Sequence, residues 1–511
     1  MDQTKWVRIV QLKSQCAPVN TSKHHHPVSL RVFFATEMWE RYGFYVVQSL
    51  LALYMAMHFQ WHDDRVYALV GSFTALTYLS PVVGGWIADH LLGQKRAVIA
   101  GAIVLCLSYV VLTLVGSEIG LITALVSSET GLIAALAGVA VGTGLLKPNI
   151  SSLLGNEYPI DSPNRESGFT IFYMGITTGI ILGTTLPSYL NLYFGWSKSF
   201  ASAALGMVIA LIVFTFGVKR YKIEDYHPFD YSHWKILKAL GLLAVLWIIA
   251  FYTLSHPNFA NIAFISVVIV SLSYLVLAIK NESPRQARQT MVIGFLCIIS
   301  VMFWAFYFQM FMSLTLFIAR MVEPTLLGIN FPPPYYVGVQ SFGMLIFGYF
   351  LARKIPQVNS IQSGIRTGNK FLLAMIFMCA AYALITFVSR ESSGDHLLSP
   401  WYFIPAYLFI SIAELLLSPV GLAAITVLAS RKKVSTMMGI FFVSLGIGGY
   451  LSGKLASLTS VTLGTQSIGA LKVHYAESFG RLFLILLAAT CICALINFYI
   501  RHLLLVKAIK E

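Results

Sequence analysis

Five ionisable side chains stand where ionisable side chains are expensive. Glu37, Glu40 and Arg41 fall in the first long apolar run of the chain, Lys147 in the fourth, and Glu414 in the run near 400–428. A charge at mid-bilayer costs about 3 kcal/mol or more, so such residues face a bundle interior and serve function. Three carboxylates against two cations leave one negative charge, which a single proton neutralises. Burial raises a carboxylate pKa and a nearby cation lowers it. A conformation that separates Glu37 or Glu40 from Arg41 or Lys147 therefore takes up a proton. The chemistry in view is proton coupling through Glu37, Glu40, Arg41 and Lys147, with the proton as coupling ion and no cofactor. The competing reading is a set of charges that only locks helices together; an apolar lock would serve at lower cost.

Spacing refines the set. Glu37 and Arg41 are four apart, share a helix face and can pair. Tyr45 and Gln48 continue that stripe, while Glu40 is turned aside and can reach a neighbouring helix. Lys147 precedes Pro148 in Gly142-Thr-Gly144-Leu-Leu-Lys147-Pro148-Asn149, where glycines permit close helix approach and the proline frees backbone groups toward a cavity. The histidines stand at the edges of the apolar runs or in the gaps and tail, none of them deep in a run, so a histidine relay is not expected.

Other chemistries find no foothold. No HExxH or GxSxG sequence occurs in an apolar run, and the acidic pair Asp63-Asp64 reads as part of an outer loop beside Arg65. An enzyme is therefore not expected. A channel wants a ring of like residues, whereas this chain offers mixed signs. His24-His25-His26 sits in a tail without further ligands, so no metal site is expected. The six cysteines, Cys16, Cys106, Cys297, Cys379, Cys491 and Cys493, show neither a disulfide framework nor zinc spacing.

The elements that must position these residues follow from composition. The 511 residues are 57% hydrophobic and 11% charged, with a net charge of +14. A soluble domain has roughly 25% charged residues. Nucleic acid is not the expected partner of the basic balance, because the cations sit in short gaps between apolar runs. Fourteen runs long enough to cross a bilayer recur near 30–58, 66–90, 96–117, 130–155, 166–191, 196–219, 234–254, 260–280, 287–319, 334–353, 369–389, 400–428, 435–459 and 476–504.

Alternate gaps hold Lys95-Arg96, Lys219-Arg220, Lys280 with Arg285 and Arg288, Arg353-Lys354 and Arg431-Lys432-Lys433; the gaps 117–129, 255–259 and 391–399 hold almost no cations. The positive-inside rule places the first set and both termini in the cytoplasm. No cleavable signal peptide is evident in residues 1–30. The tail segment Lys5–Lys13 reads as disordered, with a basic amphipathic helix on lipid as the alternative. The fold class expected is an all-α membrane protein with two six-helix bundles and two extra central helices. The expected divisions are a tail (1–29), a first bundle (30–220), a linker with the two extra helices (221–285), a second bundle (286–506) and a short tail (507–511).

Gly85-Trp-Ile-Ala-Asp89-His-Leu-Leu-Gly93-Gln-Lys95-Arg96 resembles the loop signature of the major facilitator superfamily. Within it, Glu37-Met-Trp-Glu40-Arg41-Tyr42-Gly43-Phe44-Tyr45 resembles the first-helix signature of the proton-dependent oligopeptide transporter family. Phe73 to Asp89, Gly142 to Ser152, Phe169 to Gly175, Phe303-Trp304-Ala305 with Gln309, and Glu414 to Pro419 resemble further motifs of that family in chain order. The likeness runs from about residue 30 to residue 505 and looks most like the bacterial di- and tripeptide permease branch.

The resemblance implies a peptide–proton symporter of the cell (inner) membrane, acting on small peptides or related zwitterions and expected to be monomeric. It implies that Arg41 and Lys147 face a peptide carboxylate, that Glu414 pairs with the amino group, and that Tyr45 and Tyr78 line the pocket. Trp304 is a candidate stacking surface, and Ser418 a support for Glu414 one turn away. Asp89, Lys95 and Arg96 read as a cytoplasmic gate and structural element. Thr177 stands where the family has an asparagine, Ser341-Phe342 where it has Asn-Pro, Phe308 where many members carry a glutamate, and Gly71 where animal members carry a histidine. The alternative is thus a relative with a switched solute: an amino acid, a modified peptide or a peptide-like drug.

Overall fold

Prolines and glycines punctuate long apolar runs, and the helices begin and break at them. The computed structural model describes residues 26–117, 128–158, 164–225, 232–351, 360–391, 396–430, 433–461 and 467–505. The tail segment Lys5–Lys13, His24-His25, Arg353-Lys354, Arg431-Lys432 and most of 117–129 lie outside the described residues, as does the 507–511 tail.

The helices are α1 (Leu30–Met57), α2 (Asp63–Ile87), α3 (Gln94–Val115), α4 (Ser128–Asn156), α5 (Arg165–Tyr221), α6 (His233–Ser255) and α7 (Pro257–Lys280). They continue as α8 (Pro284–Tyr307), α9 (Ser313–Met321), α10 (Pro333–Leu351), α11 (Ser360–Glu391), α12 (Ile404–Leu428), α13 (Val434–Ala456) and α14 (Ile468–Leu505). Pro257 and Pro284 open α7 and α8, where a missing N–H costs nothing. A two-stranded hairpin, β1 (Thr325–Leu326) with β2 (Ile329–Asn330), precedes α10 and has no counterpart in the sequence expectation.

Each of the fourteen apolar runs corresponds to a helical pass. The two expected at 166–191 and 196–219 form one element, α5, broken at Gly195 with φ 80° and ψ 176°. That conformation is essentially open only to glycine, and it lets the chain reverse between the passes. The run 287–319 is also interrupted: Phe308–Phe311 form a 3₁₀ turn and Met312 is non-helical (φ −131°, ψ −101°).

The passes sort into two packed groups. In the first, α1 packs on α5, α3 on α4 and α5, and α2 on α4. In the second, α11 packs on α8, α12 and α14, and α10 on α12. The groups meet along α2 with α13 and α5 with α10. The α6–α7 hairpin leans on α2, α4, α8 and α13 from outside, with most of its surface exposed. Exposed Leu, Ile, Val and Phe dominate these outer faces, as hydrocarbon solvent requires. One end of the molecule gathers Lys95, Arg96, Lys219, Arg220, Lys280 and Arg285 and is called the basic end below.

Candidate functional site

The charges of α1 are fully withdrawn from the surface: Glu40 is 0% exposed, Glu37 1% and Arg41 4%. Arg41 grips the adjacent carboxylate, with Nε donating to Glu40 Oε2 at 2.5 Å and Nη2 to Oε1 at 2.6 Å. Both oxygens of Glu40 are thereby used within α1. The hydrogen bonds of Glu40 thus close within α1, while its charge still reaches Lys147 on the neighbouring α4. Glu37 Oε1 is 3.4 Å from Arg41 Nε, one turn away. Its other oxygen, Oε2, is buried without a hydrogen-bond partner among the described residues. Arg41 also lies 5.0 Å from the centre of the Phe44 ring.

Lys147 reaches this group from α4. A Cβ on Gly84 of α2 would overlap the Gly144 carbonyl of α4, so only glycine permits this crossing. The crossing sets Lys147 Nζ 4.9 Å from the centre of the Tyr78 ring. Pro148 follows inside the helix, and Asn149 Nδ2 donates to the Leu145 carbonyl at 2.6 Å. Lys147 lies within electrostatic reach of Arg41, Glu40 and Glu37.

Glu414 supplies the opposite pole from α12. Tyr307 Oη donates to its Oε2 at 2.8 Å, and Gln340 Nε2 donates to the same oxygen at 2.7 Å. Glu414 acts electrostatically on Tyr45 of α1, Tyr78 of α2 and Tyr173 of α5, so it faces the first bundle. An aromatic bridge spans the gap between the poles. Tyr78 lies 5.5 Å from Phe308, ring centre to ring centre, and Phe308 lies 5.5 Å from Tyr307. Tyr45 and Phe311 approach to 6.2 Å. Tyr45, Tyr78, Lys147 and Glu414 are each half-buried.

Other candidates fall elsewhere. Thr177 is buried, and its hydroxyl donates to the Tyr173 carbonyl at 3.2 Å, inside its own helix. Trp304 is buried against Tyr307 and Phe308, with ring centres at 4.7 and 5.3 Å. Ser341 is buried and donates to Gln340 Oε1 at 3.3 Å, so it touches Glu414 only through Gln340. Ser418 is half-buried, and the partners of Glu414 are Tyr307 and Gln340 instead. Asp89 stands exposed in a π turn, Ala88–Leu92. Lys95 turns to the loop after α5, with Nζ donating to the Ile223 carbonyl at 3.1 Å and its backbone N–H to Asp225 Oδ1 at 2.9 Å. Arg96 is exposed on the first turn of α3.

The sequence does not single out Gln340 or Tyr307, and it reads Asp63 as part of an outer loop. Asp63 begins α2 instead of lying in a loop, and it accepts two hydrogen bonds from Arg320 of α9. The available signal for Gln340 was an amide side chain inside an apolar run, one position before Ser341. Asp63 had none, because its partner is 257 residues away.

Two six-helix groups with buried charges of both signs on their facing helices, and an added hairpin, define a multi-pass membrane protein of the major facilitator fold. Residues 95–472 match the model of the POT family, and the chain belongs to that family. It is 29% identical over 489 residues to dipeptide and tripeptide permease A of Escherichia coli (strain K12), covering 94% of this chain and 93% of the relative. It is 30% identical over 482 residues to dipeptide and tripeptide permease B of Edwardsiella piscicida, covering 92% and 94%. Among solved structures, one from work on substrate recognition in proton dependent oligopeptide transporters superposes with TM-score 0.78 at 26% identity, covering 93% of this chain and 99% of that one. A PepTSo2 chain from a tetrameric crystal superposes with TM-score 0.79 at 25% identity, with the same coverage.

Proposed function

We propose that this protein is a proton-coupled symporter that imports di- and tripeptides across the cell membrane by alternating access. The observation that carries the reading is the placement of opposite poles on opposite bundles. Arg41 and Lys147 stand on the first, and Glu414 stands on the second, across a gap walled by Tyr45, Tyr78 and Tyr307. A peptide zwitterion laid between them meets cations at its carboxylate and a carboxylate at its amino group. The names of the permease relatives support the same substrate class.

The coupling role falls to α1. Among the described residues, Glu37 Oε2 is the buried carboxylate oxygen left without a hydrogen-bond partner, which suits it to receive a proton. Glu40, with both oxygens on Arg41, fixes the guanidinium. A peptide carboxylate that draws on Arg41 loosens its grip on Glu37 and favours proton uptake there. Proton and peptide then load together, and a neutralised set crosses with the rocking of the bundles at the lowest electrostatic cost.

In this reading the basic end is cytoplasmic, both termini lie there, and the membrane is the inner one. The two bundles correspond to residues 30–220 and 286–506. Asp89, Lys95 and Arg96 organise the cytoplasmic turn, and the protein performs no covalent chemistry.

A thermal-shift screen tests the substrate class. A ligand at 100 times its Kd stabilises by about 2.7 kcal/mol. Alanyl dipeptides and tripeptides are expected to raise the melting temperature of the purified protein, and free alanine is not. A shift with the amino acid alone would contradict the reading.

A further inference from the structure

The charge set makes no use of α6 and α7, yet this hairpin is fixed to the body at two places. Nearer the basic end, Ala239 packs with Ile87, Ala88 and Leu145. Toward the other end, Ala260 and Phe264 pack with Ala75 and Ile447. Between these contacts the hairpin stands away from α2 and α4 and leaves a cleft of about 240 Å³. Leu76, Leu79 and Val83 of α2, Leu145 of α4, Leu246 of α6 and Val267 of α7 form its walls.

The cleft offers hydrocarbon and little else. Two hydroxyls reach its lining, and both are satisfied inside the protein. Ser80 Oγ donates to the Ala140 carbonyl and Thr253 Oγ1 to the Ile249 carbonyl, each at 2.7 Å. Water would lack the two to four polar partners it needs there. An apolar cavity of about 150 Å³ already binds benzene. This one is larger, and Val83 on its wall is 37% exposed, so it is open to the surrounding membrane.

The hairpin's charge selects the occupant. The two helices carry Lys235, Lys238 and Lys280 and no carboxylate, and all three lysines lie at the basic end. At 1.5 Å per residue, Leu243 and Leu246 lie about 8–12 Å from Lys238 along the helix axis. One leaflet of a bilayer is about 15 Å deep in hydrocarbon. A lipid whose headgroup rests on these lysines therefore has chains long enough to reach the cleft. Lysines at a membrane surface favour anionic headgroups.

We infer that the cleft between the α6–α7 hairpin and α2–α4 is a lipid site, taking one acyl chain of an anionic phospholipid whose headgroup sits against Lys235 and Lys238. The chain completes the packing between hairpin and bundle, as a side chain would in a filled core. The inference depends on membrane insertion and is independent of the transported solute.

Native mass spectrometry of the delipidated full-length protein tests it, with phosphatidylglycerol and phosphatidylethanolamine of identical chains as probes. One phosphatidylglycerol is expected to bind at least fivefold more tightly than phosphatidylethanolamine. The surface double variant K235Q/K238Q is expected to lose that preference. Leu246→Trp, which fills the cleft, is expected to lose the bound lipid while keeping its thermal response to dipeptide. Should that variant fail to fold, the wild-type preference and the lysine variant decide the matter. Equal binding of the two lipids, or phosphatidylglycerol binding unchanged in K235Q/K238Q, would overturn the inference.

Discussion

Asp63 of α2 and Arg320 of α9 join the two bundles through a fork of hydrogen bonds, Nη1 to Oδ2 and Nη2 to Oδ1, each 2.7 Å long. The fork sits at the end opposite the lysine-rich turns and is reinforced from two sides. The Val461 N–H donates to Asp63 Oδ2 at 3.0 Å, and Arg320 Nη1 donates to Tyr475 Oη at 2.8 Å. Under the proposed orientation this is the outer end, and the fork holds it shut. An ion pair that spans two rocking bodies exists in one state and not in the other, so it biases the equilibrium between them.

Asp63→Asn is therefore expected to favour the outward-open state. The Asp63 side chain is 1% exposed and that of Arg320 25%, so screening moderates the loss. A change of about 1–3 kcal/mol, or roughly five- to 150-fold in the state ratio, is expected. Thiol labelling of a cysteine placed between the two bundles beside the charged poles, from outside in membrane vesicles, measures it. Unchanged labelling in Asp63→Asn would show that the fork does not gate.

The two glutamates of α1 are expected to separate in their phenotypes. Glu37→Gln removes the proposed proton acceptor while leaving the Glu40–Arg41 fork whole. It should abolish acid-driven accumulation and preserve peptide exchange at equal pH. Glu40→Gln breaks the fork around a buried guanidinium, a class of change that costs about 3–5 kcal/mol. It should lower thermal stability as well as transport. Parallel uptake, counterflow and melting measurements distinguish the pair.

Gln340 and Tyr307 both donate to Glu414 Oε2, which orients the carboxylate and leaves Oε1 for an amino group. Glu414→Ala should weaken dipeptides by about tenfold or more, the usual scale for one partner of a charge-assisted contact. Tyr307→Phe and Gln340→Ala each remove one hydrogen bond to a charged group, about 1.5–3 kcal/mol at most. N-acetylated dipeptides should bind weakly and equally to wild type and Glu414→Ala. Competition binding across the free and acetylated series checks this.

Gly195 permits a clean test of backbone strain. Nothing lies within 4 Å of a Cβ added there, so Gly195→Ala creates no clash. Its backbone at φ 80° nevertheless excludes other residues at a cost of about 1–3 kcal/mol. The melting temperature should fall by several degrees, and the transport rate per folded molecule should not change.

The passes of this fold are legible because hydrocarbon thickness dictates run length. Even the break in α5 falls in the short gap between 191 and 196. The poles are legible for a related reason: Arg41, Lys147 and Glu414 stand out against apolar neighbours. Their partners are not. The sequence reading stressed Ser341, but the face that α10 turns to Glu414 carries Gln340, and a one-residue slip rotates a helix by about 100°. Tyr307 is one ring in the aromatic cluster around Trp304 and Phe308, and nothing local marks it as the donor to Glu414. Asp63 reads as half of an acidic pair in an outer loop, because a contact made 257 residues away leaves no trace in its surroundings. The β1–β2 hairpin depends on two positive-φ residues, Leu327 and Gly328, and only the glycine signals it.

The most direct test of the central claim is dipeptide accumulation in proteoliposomes under an imposed pH gradient, acid outside. Labelled alanyl dipeptide should rise above its equilibrium level inside, collapse when a protonophore is added, and merely equilibrate with Glu37→Gln. Accumulation that ignores the protonophore, or that survives unchanged in Glu37→Gln, would contradict proton coupling through the buried charges of α1.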